Sequence, residues 1–210
     1  MPRPVLICLV VEDDLSEQLL RTILRQTGQN FSVAAVYGKQ GSGYLKKNIR
    51  AFNKSAAGIL YAVLTDLDRK ECAPALITEW FGCPIADYRS RCHGNMIFRV
   101  AVREAEAWLM ADRERFARFL GISVSAIPHD LDTVDDPKQL LIALTKRCRS
   151  RDLRDDIVPR PGDRRLIGPD YSGRLASFLA SDWRAEVAQT HSRSLLKARH
   201  AIRTIFSSTH

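Results

Sequence analysis

The stretch VLICLVV at Val5–Val11, followed directly by EDD at Glu12–Asp14, indicates how this chain folds. Seven apolar residues in succession, four of them β-branched, are typical of a strand that is buried on both faces of a parallel sheet. Charge begins abruptly at Glu12 and marks the end of that strand. Leucine and isoleucine then recur at helical spacing from Leu15 to Leu24, which predicts a covering helix.

The same alternation of apolar runs and helical patterns continues to residue 120. Because strands that alternate with helices form parallel sheets, the pattern predicts an α/β fold. We expect a mostly parallel four-stranded sheet with helices on both faces. The further strands are predicted at Phe31–Val36, Ile59–Leu64 and Met96–Val102, and the further helices at Tyr44–Phe52, Ala73–Trp80 and Glu104–Leu120.

The pattern changes after Gly121, a residue type that commonly ends a helix. We therefore expect residues 1–121 to form the core domain and residues 122–210 to form a mainly helical, basic C-terminal extension packed on it. The extension is expected to hold a loop at Pro128–Pro137 and an irregular segment at Arg149–Pro169. Its predicted helices are Lys138–Cys148, Arg174–Leu179 and Ser192–Phe206.

Composition narrows the class of protein. The 210 residues suffice for a hydrophobic core, and the net charge of +8 suits a polyanionic partner such as nucleic acid. We expect a cytoplasmic protein with reduced thiols and no membrane association, since no secretory signal or long apolar run is visible and the five cysteines are odd in number. Zinc is disfavoured because Cys72, Cys83, Cys92 and His93 lack close Cys-x-x-Cys spacing.

Acidic residues follow three of the predicted strands. Glu12 ends the first, Asp66 and Asp68 follow the third, and the fourth runs into Glu104 and Glu106. The carboxyl ends of parallel strands lie at one edge of a sheet, so we expect these carboxylates to converge. Clustered carboxylates repel one another unless a cation neutralises them, and their oxygens suit Mg²⁺ or Mn²⁺.

Each set of acids also has a purely structural interpretation. The Glu12–Asp14 trio could cap the first helix, Asp66 and Asp68 could belong to a turn, and Glu104 and Glu106 would lie in a helical first turn. Asp112 falls on the apolar face of the fourth helix, where a buried carboxylate needs a partner. An Arg or a backbone cap could satisfy it, or it could support the metal site. Trp108, on the same face, is expected to be core.

Several segments together resemble a known family. Val10–Glu17, VVEDDLSE, resembles the "VEGxTE" opening of Toprim domains, although Asp13 replaces the usual glycine. Gly38–Gly43 resembles the glycine turn after the second Toprim strand, and Thr65–Asp68 resembles the DxD motif. Arg103–Asp112, REAEAWLMAD, resembles the "ExEAxLxxD" segment of a Toprim-like family related to the nuclease domain of OLD (overcoming lysogenization defect) proteins. The resemblance continues more loosely through Pro137-Lys138 and Tyr171.

The resemblance implies a metal-dependent nuclease of DNA or RNA, often encoded beside an SMC-like ATPase in bacterial mobile and defence loci. A phage-defence role, an ATPase partner and a homo-oligomer are therefore expectations. The implied catalytic residues are Glu12, Asp66, Asp68, Glu104 and Glu106, of which Glu12, Asp66, Asp68 and Glu106 would hold Mg²⁺ or Mn²⁺. Glu17 and Asp112 would support these ligands, and Lys39, Lys46 and Lys138 would contact phosphate.

Two other functions fit parts of the sequence. Residues 9–14, LVVEDD, also resemble the first strand and acidic pair of a phosphorelay receiver, with Asp66 as the phosphoacceptor. A receiver would carry a Lys-Pro after a later strand, and none occurs in residues 100–120. The second alternative is an inactive Toprim domain that binds a partner protein or nucleic acid. A P-loop is excluded, because Gly38–Gly43 lacks the Gly-Lys-Ser/Thr ending.

Overall fold

The computed structural model describes residues 3–207, with side chains to residue 205. Contacts divide the described chain into two compact units, residues 3–102 with 197–207, and Arg103–Leu196. The first unit is therefore built from two separate parts of the sequence. The predicted boundary of a catalytic core at residue 121 stays a prediction. The contacts place the boundary of the first unit between Val102 and Arg103.

The first unit contains a four-stranded parallel sheet, which confirms the predicted fold class. Strand order is β2-β1-β3-β4, with every neighbouring pair parallel. The strands are β1 (Val5–Val11), β2 (Phe31–Gly38), β3 (Leu60–Asp66) and β4 (Met96–Ala101), and the helices are α1 (Asp14–Gln26), α2 (Ser42–Ser55), α3 (Ala73–Phe81) and the short α4 (Tyr88–Arg91).

The order of the strands determines where the sheet can carry a site. β1 lies between β2 and β3 in the sheet. The connection from β1 to β2 therefore runs to one side of β1, and the connection from β2 to β3 crosses to its other side. Such a topological switch point opens a crevice at the carboxyl ends of the two strands. Val11 pairs with Leu64, which brings Glu12 and Asp66 to that crevice.

Apolar residues bury both faces of the sheet. On one face, Val10, Val63 and Phe98 pack with Leu45 of α2 and Trp80 of α3. Side chains alternate along a strand, so Ile7 and Leu9 face the other way, where α1 contacts the sheet. Helices therefore cover both faces, as expected from the alternating pattern.

The second unit is helical. Its helices are α5 (Ala105–Met110), α6 (Arg113–Leu120), α7 (Pro137–Thr145), α8 (Arg151–Ile157), α9 (Tyr171–Ser181) and α10 (Ala185–Ala188), and α11 (Arg193–Ser207) begins here and ends in the first unit. Trp108 is fully buried, and its indole N–H donates to Ser194 Oγ at 2.8 Å, which places it in the core as predicted. Within residues 3–207, no helix is both long and apolar enough to span a membrane.

Two predicted elements of this unit are wrong in detail. The single helix expected at Glu104–Leu120 is broken between α5 and α6, because Asp112 caps α6 with non-helical backbone angles. The segment Arg149–Pro169, expected to be irregular, contains α8. Ser150 caps α8 by accepting the Leu153 N–H at 3.3 Å, and buried Leu153 and Ile157 lie one helical turn apart. The many charged residues around these two apolar positions hid the helix.

Gly38 ends β2 against the end of β1. Its φ is 106°, and a Cβ built there would lie 2.1 Å from the Val11 carbonyl oxygen. The following Lys39 N–H donates to the same oxygen at 2.9 Å, and the Gly41 N–H donates to the Glu12 carbonyl at 3.1 Å. The glycine turn therefore holds the backbone on which Glu12 is placed, and only glycine fits the approach.

We predict that Gly38→Ala destabilises the protein by about 2 kcal/mol or more, because it combines an unfavourable φ with a backbone clash. Gly43→Ala is the matched control: nothing lies within 4 Å of its added Cβ, and the residue is helical. It should be neutral or stabilise by up to about 1 kcal/mol. Urea denaturation of the two variants and the wild type measures both effects. Equal stability of the two variants would contradict the role given to Gly38.

Candidate functional site

The Glu12 side chain bridges the ends of β1 and β3. Glu12 Oε1 accepts hydrogen bonds from the Asp66 backbone N–H at 2.9 Å and from the Thr65 hydroxyl. Glu12 therefore does not cap α1. The cap is Asp13, whose Oδ1 accepts the Ser16 N–H at 2.8 Å, while Asp14 lies in the first helical turn. The three adjacent acids thus have three different roles.

Burial raises the pKa of the Glu12 carboxyl. The hydrogen bonds from Thr65 and from the Asp66 N–H oppose that rise, whereas the nearby charges of Asp68 and Asp13 add to it. The net direction is upward. A neighbouring cation would stabilise the charged form of a carboxyl whose pKa is raised in this way. At a pH near its pKa, such a carboxyl can accept and donate a proton.

Asp66 and Asp68 lie on either side of a buried leucine. Asp66 ends β3 and is 8% exposed, and Leu67, which is 3% exposed, donates its N–H to the Ala101 carbonyl at 2.9 Å. Asp68 adopts a left-handed conformation with φ of 50°, so the extended backbone of β3 ends before it. Because Asp68 raises the pKa of Glu12, the two carboxylates act on each other through space.

Lys39, predicted to contact phosphate, is engaged by two acids. Its Nζ lies 2.7 Å from Asp14 Oδ1 and 2.6 Å from Glu17 Oε2, and these bonds raise the pKa of Lys39. Glu17 is also paired with Arg21 at 2.6 Å. Burial would raise the pKa of Glu17, but the two cations outweigh it and lower that pKa. Glu17 therefore holds the lysine of the glycine turn.

Lys46, the second predicted phosphate contact, lies on α2 with its Nζ 2.6 Å from Glu79 Oε1. Lys70 binds the other oxygen of the same carboxylate at 2.7 Å. Both lysines hold the pKa of exposed Glu79 at about 2. The phosphate roles of Lys39 and Lys46 stay predictions, and in each case a substrate would compete with these carboxylates.

In the second unit, Glu104 and Glu106 meet Lys138 and Tyr171. Lys138, near the start of α7, donates its backbone N–H to Glu104 Oε2 at 2.8 Å. Its ammonium lies 3.6 Å from Glu104 Oε1 and 3.5 Å from Glu106 Oε1. The Tyr171 hydroxyl donates to Glu106 Oε1 at 2.9 Å. Glu104 thus helps to satisfy the N-terminus of α7, and Glu106 receives a neutral and a charged donor.

Glu106 is the more buried of the pair, at 2% exposed. Burial raises the pKa of its carboxyl, the neighbouring Glu104 raises it further, and Lys138 and Tyr171 oppose the rise. The only sequence signal for Tyr171 was the loose continuation of the family resemblance. No local pattern could have predicted its bond to Glu106, because 65 residues separate them.

Asp112, the other expected supporting acid, has partners of its own within the second unit. It is fully buried, and its two oxygens accept the Arg184 backbone N–H at 2.8 Å and an Arg115 guanidinium N–H at 3.3 Å. The sequence left two roles open for Asp112: a carboxylate held by an arginine or a backbone group, or a support of the metal site. These contacts correspond to the first role.

The chemistry of the acids fits a hard cation. Within residues 3–207, no group of three or more His, Cys, Asp or Glu side chains is already arranged to hold a metal ion. Magnesium is commonly held by one or two protein carboxylates together with water and substrate phosphate. Binding of a metal by Asp66 and Asp68 stays a prediction. Convergence of Glu104 and Glu106 on the same ion stays a prediction.

The fold and the acids define a class of protein: an α/β domain with carboxylates at the switch point of a parallel sheet. Two solved structures are similar to this chain, and both are C-terminal regions of OLD proteins, the group that the sequence motifs resemble. That of Burkholderia pseudomallei has 17% identity and a TM-score of 0.47, covering 94% of this chain and 97% of its own.

The second structure, from Xanthomonas campestris pv. campestris, has 15% identity and a TM-score of 0.46, covering 97% of this chain and 98% of its own. Likeness at this level does not transfer residue roles or activity. No protein-family model matches the chain, and no curated protein matches it significantly. The function must therefore be argued from the residues themselves.

We predict that Glu12→Gln flattens the pH dependence of stability. Between the usual carboxyl pKa of 4.5 and the raised pKa of folded Glu12, the native state binds more protons than the unfolded chain. Wild-type stability therefore falls as pH rises through that window. Glutamine keeps an acceptor for Thr65 and Asp66 without the charge, so the variant should gain stability relative to wild type as pH rises.

Chemical denaturation across a series of pH values measures this difference. Glu71→Gln is the control, because Glu71 is exposed. This variant should have the same pH profile of stability as the wild type. A Glu12→Gln profile parallel to that of wild type would show that the Glu12 carboxyl has the same pKa in the folded and unfolded states.

Proposed function

We propose that this protein is a divalent-metal-dependent nuclease that hydrolyses phosphodiester bonds of DNA or RNA. The observation that carries the proposal is the half-buried Glu12 carboxylate at the β1–β3 switch point, which Thr65 and the Asp66 N–H orient. Asp66 and Asp68 follow at the end of the adjoining strand. The net charge of +8 adds an attraction to polyanions.

Each acid would have a defined task. A bound Mg²⁺ or Mn²⁺ would neutralise the scissile phosphate and lower the pKa of an attacking water. Asp66, Asp68 and Glu106 would hold metal, and Glu12 would hold a second ion or accept the proton of the water as general base. The raised pKa of Glu12 suits proton transfer near neutral pH better than an ordinary carboxyl does.

The second unit would supply a charged contact to the substrate. The Lys138 ammonium lies 3.6 Å from Glu104 Oε1 and 3.5 Å from Glu106 Oε1. It would contact a substrate phosphate in competition with these carboxylates. Glu104 and Glu106 would remain to hold metal or orient water.

The biological setting is proposed from the motif resemblance. An SMC-like ATPase would act as partner, the pair would serve a bacterial defence or mobile-element system in the cytoplasm, and the chain could form a homo-oligomer.

We predict that the wild type cleaves plasmid DNA or RNA only with Mg²⁺ or Mn²⁺, and that Asp68→Asn lowers the rate by about two to three orders of magnitude. Asparagine tolerates the left-handed backbone of residue 68, so the fold should survive the loss of charge. Binding of Mn²⁺, followed by its electron paramagnetic resonance signal, should weaken in the same variant.

Asp87→Asn is the matched control: Asp87 is an exposed acid between β3 and β4, and its substitution should leave both cleavage and Mn²⁺ binding intact. Equal cleavage by wild type and Asp68→Asn would place the activity elsewhere. No cleavage and no Mn²⁺ binding, with the ATPase added, would favour the inactive binding module. Phosphorylation of Asp66 by acetyl phosphate would instead identify a receiver.

We also predict that nucleic-acid binding weakens linearly with the logarithm of salt concentration, because each neutralised phosphate releases counterions. Fluorescence anisotropy of a labelled oligonucleotide in EDTA separates this binding from cleavage. A heparin competitor should displace the oligonucleotide. Absence of binding at low salt, with and without metal, would contradict a nucleic-acid substrate for the protein alone.

A further inference from the structure

Arg99 places a cation inside an otherwise apolar edge strand. It lies on β4, between buried Phe98 and Val100, and its own side chain is half-buried. Its Nε is buried and has no hydrogen-bond partner among the described residues. Within the same residues, no carboxylate forms an ion pair with its guanidinium. The described part of the chain thus partly desolvates a positive charge and places no carboxylate against it.

Burial lowers the pKa of Arg99. The electrostatic interactions of Arg99 with Tyr88 and Cys92 raise its pKa, but by less than burial lowers it. Burial also raises the pKa of the Tyr88 hydroxyl and of the Cys92 thiol, so both remain uncharged at neutral pH. A partly buried guanidinium without a negative partner is unfavourable. An external anion that reaches Arg99 would remove that penalty.

A groove gives such an anion access to Arg99. Its volume is about 550 Å³, and it is lined by β4 as far as Arg99, by the preceding loop and by the C-terminal half of α11. None of the residues that line it is acidic, and those with polar side chains are Asn95, Arg99, His200 and Thr204. Arg99 and His200 can carry positive charge. The Asn95 side-chain amide donates to the Ala56 carbonyl at 3.1 Å, and the Thr204 hydroxyl donates to the His200 carbonyl at 2.9 Å.

Lys197 extends this basic lining along α11. At about 100° per residue, position 197 falls on the same helical face as His200, Ala201 and Thr204, which line the groove. Lys197 and His200 are both exposed. Arg99 pairs with Leu64, which in turn pairs with Val11, so Arg99 lies level with the residue before Glu12, with β3 between the two strands. None of the residues that line the groove is one of the acids at the switch point.

We propose that the groove between β4 and α11 is a second anion site that binds a phosphate group, with Arg99 as its central ligand and His200 beside it. The site is distinct from the acidic switch point, and its existence does not depend on nuclease activity. The phosphate could belong to a free nucleotide or to a nucleic-acid strand that runs along Lys197. Both sources offer the same oxyanion to the same donors.

The test measures binding in EDTA, where no metal-dependent cleavage occurs. Inorganic phosphate, AMP and a short oligodeoxythymidylate are titrated against the full chain at constant ionic strength, with chloride as the reference anion. Wild type should bind phosphate specifically. Arg99→Met and His200→Ala should each weaken that binding by roughly ten- to a hundredfold, as for loss of a charge-assisted hydrogen bond. Lys54→Met, which removes an exposed charge on α2, should not.

Thermal unfolding without phosphate separates binding from a structural role. If Arg99 serves a ligand, Arg99→Met should unfold at the same or a higher temperature than wild type, because it removes an unpartnered buried cation. Tighter binding of the oligonucleotide than of AMP identifies a strand as the source, and equal binding identifies a nucleotide. No phosphate-specific binding by wild type, or equal loss in Lys54→Met, overturns the proposal whatever the outcome of the cleavage assay.

Discussion

The arrangement of the acidic edge depends on one carboxylate that joins two parallel strands beyond their ladder. Glu12 leaves the end of β1 and accepts hydrogen bonds from Thr65 and Asp66 at the end of β3. Strand pairing aligns Val11 with Leu64, and Gly38 lets the turn after β2 approach the Val11 carbonyl. Register, turn and carboxylate therefore constrain one another. A change in any of them would move Glu12 relative to Asp66 and Asp68.

The sequence predicts the fold well where a single physical signal dominates. The uninterrupted apolar runs of β1 and β3 are long enough to indicate buried strands, and the acids that end them indicate the carboxyl edge. Asp13 and Glu12 show the limit of this reasoning. Adjacent acids before a helix look alike in sequence, yet one caps α1 through Ser16 and the other bonds across the sheet, a difference set by backbone direction.

What the sequence could not predict involves distant partners. Lys138 and Glu104 are 34 residues apart, and Tyr171 and Glu106 are 65 apart, so their contacts arise only from the packing of α5, α7 and α9. The break between α5 and α6 was hidden for the same reason: Asp112 is stabilised by the Arg184 N–H, far along the chain. Arg99 escaped notice because one cation in an apolar run does not alter the prediction of a strand.

The discontinuity of the first unit has a consequence for the order in which the protein folds during synthesis. Residues 103–196 are contiguous, so that unit can form as soon as it has left the ribosome. The unit that contains the sheet is completed by residues 197–207. Until these residues have been synthesised, α11 cannot pack beside β4. Translation thus delivers the edge strand first and its helical cover about a hundred residues later. A nascent chain stalled in that interval would expose β4 to chaperones and to neighbouring chains.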